Sequence, residues 1–252
     1  MGKFLGDVIL LANNNQDENV AEVKLIKNGN KVTYDIEKIK QRRTVRSNYL
    51  STVLQPADVA CQVAEGPEFI RYIPKTSKEH QWLIGQTIEA NRLQPYRNNA
   101  QSELANWIRF NSKKAAEHAD GLTIAGMEIE GMPGWLLRNF YGKENVMKKS
   151  FREQSMDKVV TQVSQCAGWL LITSKDSLVN TLLVTGKRMH RLFLKVRNKQ
   201  IMQLIVEAAL NQQLNKATGI REPVQFIFRV GYLKTYPGPV SLRRLPGRFV
   251  RI

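Results

Sequence analysis

The residues of this 252-residue chain with the most specific chemistry are arginines that cluster near position 44. Three guanidiniums and one hydroxyl stand close together, in the order Arg42, Arg43, Thr44, Val45 and Arg46. Guanidiniums form charge-assisted, bidentate hydrogen bonds to phosphate oxygens, and the N–H groups of a helix start add further donors. The pattern therefore indicates a phosphate site at a helix start. A solvated basic surface is the alternative, and it is the better interpretation of this segment taken alone.

A second arginine pair lies near the end of the chain. A strand is predicted at 228–232 (FRVGY), and a proline-rich connection leads from it to Arg243 and Arg244. An extended arm of this kind could return both guanidiniums to an anion held by the first segment. A basic tail lying on the surface is the alternative, and it is again the better interpretation of the pair taken alone.

The charge of the chain is large and unevenly placed. The net charge is +16, and residues 181–252 hold 14 Lys and Arg but only two acids, so that +12 lies in this part. Such an excess implies an anionic partner: a phosphate-bearing cofactor, a nucleic acid, an acidic membrane or an acidic subunit. A helix predicted at 178–196 carries cations along one side, namely Lys187, Arg188, Arg191, Lys195 and Arg197. A core helix with a solvated cationic face is favoured there over a helix that binds the phosphates of a nucleic acid and over a helix that lies on a membrane surface.

The remaining polar residues support no other chemistry. His80, His118 and His190 are far apart in sequence and show no metal-ligand spacing, so no metal site is expected. The two cysteines, Cys61 and Cys166, favour a reduced, cytoplasmic setting. No apolar run approaches the roughly 18 residues of a membrane span, and no membrane partner is expected. No nucleophile motif assigns a catalytic residue, which stays unknown.

Hydrophobic periodicity and turn residues predict the elements that must position the arginines. Strands are expected at 20–26, 31–36, 68–73, 168–174 and 224–232. A basic helix start is expected at 38–46, followed by an apolar-periodic stretch to about residue 64. Further helices are expected at 4–12, 78–93 with a Thr76 or Ser77 cap, 101–109 with Leu104, Trp107 and Ile108 facing inward, 135–141, 176–196 counting a cap at Asp176 or Ser177, and 202–215. A few strands separated by long helices define an α+β architecture.

A co-linear series of segments carries a resemblance to a known family. In chain order these are RRTVRSNY (42–49), QSELANWIR (101–109), DGL (120–122), GWLLITS (168–174), a helix with Thr185 and Gly186, FRVGY (228–232) and RRLP (243–246). Together they resemble the nitroreductase-like FMN-binding superfamily, in particular its Acg-type branch, whose members look like two nitroreductase subunits fused in one chain. The resemblance covers roughly residues 38 to 246. It implies a mixed or antiparallel central sheet packed with long helices.

The resemblance also implies a cofactor and a reaction. In this superfamily the basic segment and the C-terminal basic residues hold the phosphate and ribityl chain of FMN, which here would be Arg42, Arg43, Thr44 and Arg46, closed over by Arg243 and Arg244. The implied activity is that of a bacterial, cytoplasmic oxidoreductase. By ping-pong hydride transfer, NAD(P)H would reduce the flavin, and an electron-poor acceptor such as a nitroaromatic or a quinone would reoxidise it.

One part of the family pattern is not seen. Members of the branch usually carry an upstream motif similar to Ser-x-His-Asn-x-Gln-Pro-Trp that touches the flavin ring, and residues 1–37 do not match it. We therefore expect residues 1–37 to be the remnant of an upstream portion, with a helix and a strand. Residues 38–252 are expected to form the nitroreductase-like domain with an extended basic arm.

Three alternatives stay open at this point. The protein could hold a flavin without turnover, as a pseudoenzyme. It could instead be a basic module that binds nucleic acid or another polyanion, although no known nucleic-acid motif supports this. Whether the protein is a flavin enzyme or a pseudoenzyme, a homodimer in which a second subunit supplies the contacts to the flavin ring is compatible with the sequence.

Overall fold

The computed structural model of the protein describes residues 4–11, 21–27, 36–195, 202–205, 208–238, 240, 242 and 244. The strands in these residues are β1 (Phe4–Leu10), β2 (Ala21–Lys27), β3 (Ile70–Pro74), β4 (Ile108–Arg109), β5 (Leu122–Thr123), β6 (Gly168–Thr173), β7 (Met202–Ile205) and β8 (Val224–Val230). The helices are α1 (Ile36–Gln41), α2 (Pro56–Val63), α3 (Lys78–Tyr96), α4 (Asn98–Trp107), α5 (Ser112–His118), α6 (Gly131–Phe140), α7 (Lys143–Val146), α8 (Lys149–Ser164), α9 (Val179–Lys195) and α10 (Ala208–Thr218).

A four-stranded antiparallel sheet with the order β3-β6-β8-β7 organises the fold. Every residue of β6 is buried, as expected of a strand with neighbours on both sides and helices on both faces. Trp169 of β6 pairs with Ile73 of β3 and with Arg229 of β8, so these three side chains share one face. The strands predicted at 168–174 and 224–232 are confirmed, and so is the α+β class.

Each face of the sheet carries its own apolar core. On one face, Trp169 and Leu171 pack with residues of α3, α8 and α10, among them Leu83, Val163 and Leu214. The opposite face packs against α2 and α9 through Leu170, Ile172, Leu192 and Phe228. This division follows from the alternation of side chains along the strands. The sheet is therefore a layer between two helical layers.

The N-terminal part corrects one prediction. Residues 4–10 were expected in a helix, but they form β1, which pairs antiparallel with β2 so that Val8 lies opposite Val23. A short apolar run fits either element, and the β-branched pair Val8 and Ile9 favours a strand. The strand at 20–26 is confirmed as β2, whereas the one at 31–36 falls almost wholly outside the described residues. The domain boundary at 37/38 stays a prediction.

Three helix predictions also change. α1 ends at Gln41, so the arginine segment 42–46 is not a helix start, and residues 42–55 form no helix. The helix expected at 202–215 begins as strand β7 and becomes α10 only at Ala208. In α4, Leu104 and Trp107 are 37% and 49% exposed rather than inward-facing, while Ile108 is buried just beyond the helix, in β4.

Other helices agree with the sequence. Ser77 caps α3 by accepting a hydrogen bond from the His80 N–H at 3.1 Å. The helices expected at 135–141 and 176–196 are confirmed as α6 and α9. No hydrophobic periodicity predicts α8, because polar residues occupy its inner face: Arg152 and Gln162 are buried there beside Val163.

Candidate functional site

The arginine segment 42–46 runs without helical structure beside the end of β8. Arg43, Val45 and Tyr49 are buried, whereas Arg42, Thr44 and Arg46 are half-buried. Alternation of this kind is what an extended chain produces when one side meets a core. The Leu50 N–H donates to the Tyr232 carbonyl at 2.8 Å, which ties the segment to the residues after β8.

Arg43 is held entirely by protein groups. Its Nη2 lies 3.1 Å from Glu128 Oε1, and this ion pair is almost fully buried, with side-chain exposures of 5% and 9%. Its Nη1 donates to the Gly238 carbonyl, and its backbone N–H donates to the Tyr236 hydroxyl at 3.3 Å. The C-terminal segment therefore contacts the arginine segment through Tyr236 and Gly238.

Glu128 connects two parts of the site. Its Oε1 accepts a second hydrogen bond, from the Arg46 backbone N–H at 2.8 Å, while its Oε2 is buried without a hydrogen-bond partner among the described residues. The backbone of Glu128 has φ of 58°, in the left-handed region that non-glycine residues seldom adopt. This glutamate escaped the sequence analysis because one acid in the run AGMEIEG carries no distinguishing signal.

Two polar side chains of helix α8 contact the backbone around Glu128 and the arginine segment. Lys158 Nζ donates to the Met127 carbonyl at 2.9 Å, and Gln162 Nε2 donates to the Arg46 carbonyl. The two residues are four apart and therefore lie on one face of the helix. Burial lowers the pKa of Lys158; Glu128 opposes this shift, and Arg46 adds to it. Sequence reasoning missed both residues, because α8 itself was not predicted.

The Arg46 guanidinium is bound to protein through one of its nitrogen atoms, among the described residues. Its Nη1 donates to the Gly126 carbonyl at 3.0 Å. Burial lowers the pKa of its guanidinium, an effect that Glu128 opposes and Arg43 reinforces. Its half-buried position leaves this side chain within reach of a ligand.

Arg229 and Tyr49 complete the inner part of the site. The Arg229 guanidinium is fully buried, donates to the Gln162 carbonyl and lies 4.6 Å from the centre of the Tyr49 ring. Burial lowers the pKa of Arg229 and raises the pKa of the Tyr49 hydroxyl. That hydroxyl has no hydrogen-bond partner in the part of the chain that the structure describes.

The cluster as a whole is cationic. Among the described residues it gathers Arg43, Arg46, Lys158 and Arg229 around one carboxylate, that of Glu128. Partly desolvated positive charges of this density attract an anion more strongly than exposed ones, because the surrounding dielectric is low. The arrangement is therefore a candidate anion site.

The other predicted site residues are dispersed. The Arg42 guanidinium lies 5.7 Å from the Phe193 ring of α9, and Thr44 is half-buried between Arg43 and Val45. Arg244 is 51% exposed and forms an ion pair with Asp120, whose other oxygen binds Arg109 at 2.8 Å. Arg243 lies outside the described residues. Closure of Arg243 and Arg244 over an anion thus stays a prediction.

A second concave region lies away from this cluster. It encloses about 450 Å³ between the end of β3, the start of α3 and the turn after α10, with Arg71, Glu79, Arg221 and Glu222 in its lining. Its opposite charges balance, so it lacks the cationic character of the first site. Within the described residues there is no group of three or more His, Cys, Asp and Glu that could hold a metal, and no helix is long and apolar enough to cross a bilayer.

The fold belongs to a known structural class. No protein-family model matches the sequence, and a search of curated proteins by sequence finds no match either. Solved structures do match, and they define the chain as nitroreductase-like in fold, in agreement with the sequence resemblance.

Two of these structures are nitroreductases. The FMN-dependent nitroreductase NfnB from Mycobacterium smegmatis, solved with NADPH, matches with a TM-score of 0.54 at 10% identity, over 86% of this chain and 96% of that one. An FMN- and NADPH-dependent NfnB variant from Sphigopyxis sp. strain HMH gives 0.51 at 9% identity, over 87% and 99%. An iodotyrosine deiodinase bound to FMN and 3-iodo-L-tyrosine gives 0.47 at 12% identity, over 86% and 99%, which is below the level at which we infer a common fold.

Proposed function

We propose that the protein is an FMN-dependent NAD(P)H oxidoreductase of the nitroreductase type. The observation that carries the proposal is the cationic cluster at Arg43, Arg46, Lys158 and Arg229, placed in a fold shared with FMN-dependent nitroreductases. The Acg-type branch and a cytoplasmic location are further parts of the same proposal.

The residues present fit the phosphate of FMN. A phosphate monoester carries between one and a half and two negative charges near neutral pH. Donors to the phosphate can come from three half-buried side chains, those of Arg42, Thr44 and Arg46. Arg43 adds a positive charge beside them, although its side chain is bound to Glu128. We therefore assign Arg46 to direct phosphate contact. Arg43 could contact the phosphate only if its ion pair with Glu128 opened. Arg42, which lies beside Phe193 of α9, and Thr44 remain proposed contacts. Arg243 and Arg244 remain proposed closing residues.

The chemistry of such a protein is mostly that of its cofactor. Bound FMN would accept a hydride from NAD(P)H and pass it to an electron-poor acceptor such as a nitroaromatic or a quinone. The chain's own contribution is to bind the phosphate, to exclude water from the buried arginines and to supply positive potential. We assign no catalytic residue, so a flavin-holding protein without turnover is the first alternative.

A homodimer is the assembly that we propose. Large apolar side chains are in contact with solvent just before α9 and in its N-terminal half: Leu178 is 68%, Leu182 37%, Leu183 39% and Val184 47% exposed. Contiguous apolar surface of this kind usually marks an interface. A second subunit covering α9 could also provide contacts to the flavin ring.

Nucleic-acid binding is less well supported by the structure. Of the cations expected along α9, Arg188 stacks 4.1 Å from the Phe69 ring and Lys195 pairs with Glu65. Arg197 lies outside the described residues. Lys187, Arg191 and Lys195 are exposed, but Lys195 is the residue that pairs with Glu65. A helix that binds the phosphate backbone of a nucleic acid needs a row of available cations. Helix α9 is therefore better described as a packed helix with a partly solvated face.

The deciding experiment is a flavin titration. The purified protein is measured for flavin absorbance and then titrated with FMN, followed by quenching of flavin fluorescence. Replacing both Arg42 and Arg46 with Gln should weaken binding by about a hundredfold or more, since each charged hydrogen-bond donor contributes about 1.5–3 kcal/mol. Arg191→Gln, which removes an exposed cation of α9, is the matched control. Absence of FMN binding at micromolar concentration would refute the proposal.

Turnover separates the enzyme from the pseudoenzyme. FMN-loaded protein is mixed with NADH or NADPH and then with a nitroaromatic or a quinone, and flavin absorbance is followed through reduction and reoxidation. Bleaching by the nicotinamide and recovery with the acceptor support the oxidoreductase. Bound flavin that no nicotinamide reduces identifies the pseudoenzyme.

A further inference from the structure

The Glu128 carboxylate occupies donors that an external phosphate would use. Its Oε1 accepts from Arg43 Nη2 at 3.1 Å and from the Arg46 backbone N–H at 2.8 Å. A guanidinium and a backbone N–H are the donor types that bind phosphate oxygens in proteins. Part of the anion-binding capacity of segment 42–46 is therefore satisfied by a carboxylate of the chain itself.

The contact leaves one carboxylate oxygen unsatisfied. Glu128 Oε2 is buried without a partner among the described residues, although a buried carboxylate oxygen ordinarily needs one. The left-handed φ of 58° belongs to the turn itself, in which the Glu128 N–H donates to the Ala125 carbonyl at 3.0 Å and the Ile129 N–H donates to the Ile124 carbonyl at 3.2 Å. The unpartnered oxygen is therefore the cost of bringing a negative charge to Arg43 and Arg46.

We propose that Glu128 is an internal competitor of the ligand phosphate, so that binding requires its displacement from Arg43 and from the Arg46 N–H. The proposal rests on the proposed function and concerns its regulation: the affinity for FMN would be set by how readily this carboxylate leaves. The relevant ligand chemistry is a phosphate monoester or diphosphate, since the contacts involve no group that recognises a flavin ring.

Glu128→Gln tests the competition directly. The substitution keeps the size and one acceptor oxygen but removes the negative charge. The dissociation constant for FMN is expected to fall by about tenfold or more, given the size of charge–charge interactions at partly buried sites. Riboflavin, which lacks the phosphate, should bind the variant and the wild type equally. Glu130→Gln removes an exposed charge two residues away and should change neither affinity.

A second variant controls for the destabilisation that Glu128→Gln is expected to cause. Glu128→Gln leaves Arg43 buried without its counterion, which is destabilising. Glu128→Asn is also neutral but tolerates the left-handed backbone better, so it offsets part of that loss. For both variants the unfolding temperature is measured with and without inorganic pyrophosphate. Pyrophosphate should raise it by more in either variant than in the wild type.

The outcomes separate this inference from the proposed function. If the wild type binds FMN and the neutral variants bind it equally or more weakly, the role of Glu128 is to position the arginines. The hypothesis that Glu128 competes with the phosphate is then wrong, whereas FMN binding is upheld. If no form binds FMN but pyrophosphate stabilises the neutral variants more than the wild type, the flavin function fails and the competition stands. If neither FMN nor pyrophosphate affects any form, both are overturned.

Discussion

The Arg229 guanidinium carbon lies 4.6 Å from the centre of the Tyr49 ring, and this contact joins two segments separated by 180 residues of chain. Tyr49 lies three residues after the arginine segment 42–46, and Arg229 lies in β8. Both are buried, so the cation–π contact is desolvated and contributes more than an exposed one. It fixes the arginine segment against the sheet.

Gly231 should not tolerate a side chain. A Cβ at this position would lie 2.8 Å from the Tyr49 Cβ, which is closer than carbon atoms can approach. Gly231→Ala is expected to lower the free energy of unfolding by about 1–3 kcal/mol, because a buried segment must shift. Urea denaturation measures this loss. Gly85→Ala in α3, where a Cβ meets nothing within 4 Å, is the control and should be neutral or stabilising. Equal effects of the two would contradict the proposed contact.

The Tyr49 hydroxyl should be dispensable for stability. It is buried without a hydrogen-bond partner among the described residues, so its removal relieves a desolvated polar group. Tyr49→Phe keeps the ring under Arg229 and should leave the free energy of unfolding within about 1 kcal/mol of the wild type or above it. Tyr49→Ala should cost about 3–5 kcal/mol, as for other large aromatic side chains. A large loss in the Phe variant would reveal a bond to the hydroxyl.

Asp120 should make stability depend on acid pH. Hydrogen bonds from Arg244 and Arg109 lower the pKa of this carboxyl group. A lowered folded-state pKa gives stability that is present above the unfolded value, about 3.9, and is lost as the pH falls through the folded value. The unfolding temperature of the wild type should therefore fall more steeply between pH 5 and pH 2 than that of Asp120→Asn. Asp157→Asn, on the exposed side of α8, should follow the wild type.

The apolar half of α9 should support self-association. Replacing Leu182 and Leu183 with Lys places charges in the proposed interface and should convert a dimer into a monomer. Light scattering coupled to gel filtration measures the mass over a range of concentrations. Asn180→Lys adds a charge to the same helix without removing an apolar group, and it is expected to stay dimeric. A wild type that is monomeric at all concentrations would contradict the homodimer.

Strong local signals made the central part of the fold predictable. The run GWLLIT had to be buried on both faces, and FIFRV alternates as a strand does, so β6 and β8 followed from their residues. Ser77 was expected as a cap because a hydroxyl can accept from the first turn of α3. The order of such segments along the chain carried the resemblance to nitroreductase-like proteins, and the fold implied by that resemblance is confirmed.

The site could be predicted only in part. Arg43 and Arg46 were found because clustered guanidiniums have a specific use, but their partner Glu128 lies 82 residues or more from them in sequence. No local pattern connects residues that meet only in the folded chain. Lys158 and Gln162 were missed for the related reason that α8 buries polar groups, which hides its periodicity.

Position 128 sets two physical requirements against each other. The backbone there has φ of 58°, a conformation in which glycine or asparagine would fit with less strain, by about 1–2 kcal/mol relative to glutamate. Either residue would, however, leave the Arg43 guanidinium without its carboxylate. A homologous chain that has lost this acid should thus also have lost or exposed the arginine at position 43, and the two positions are expected to change together.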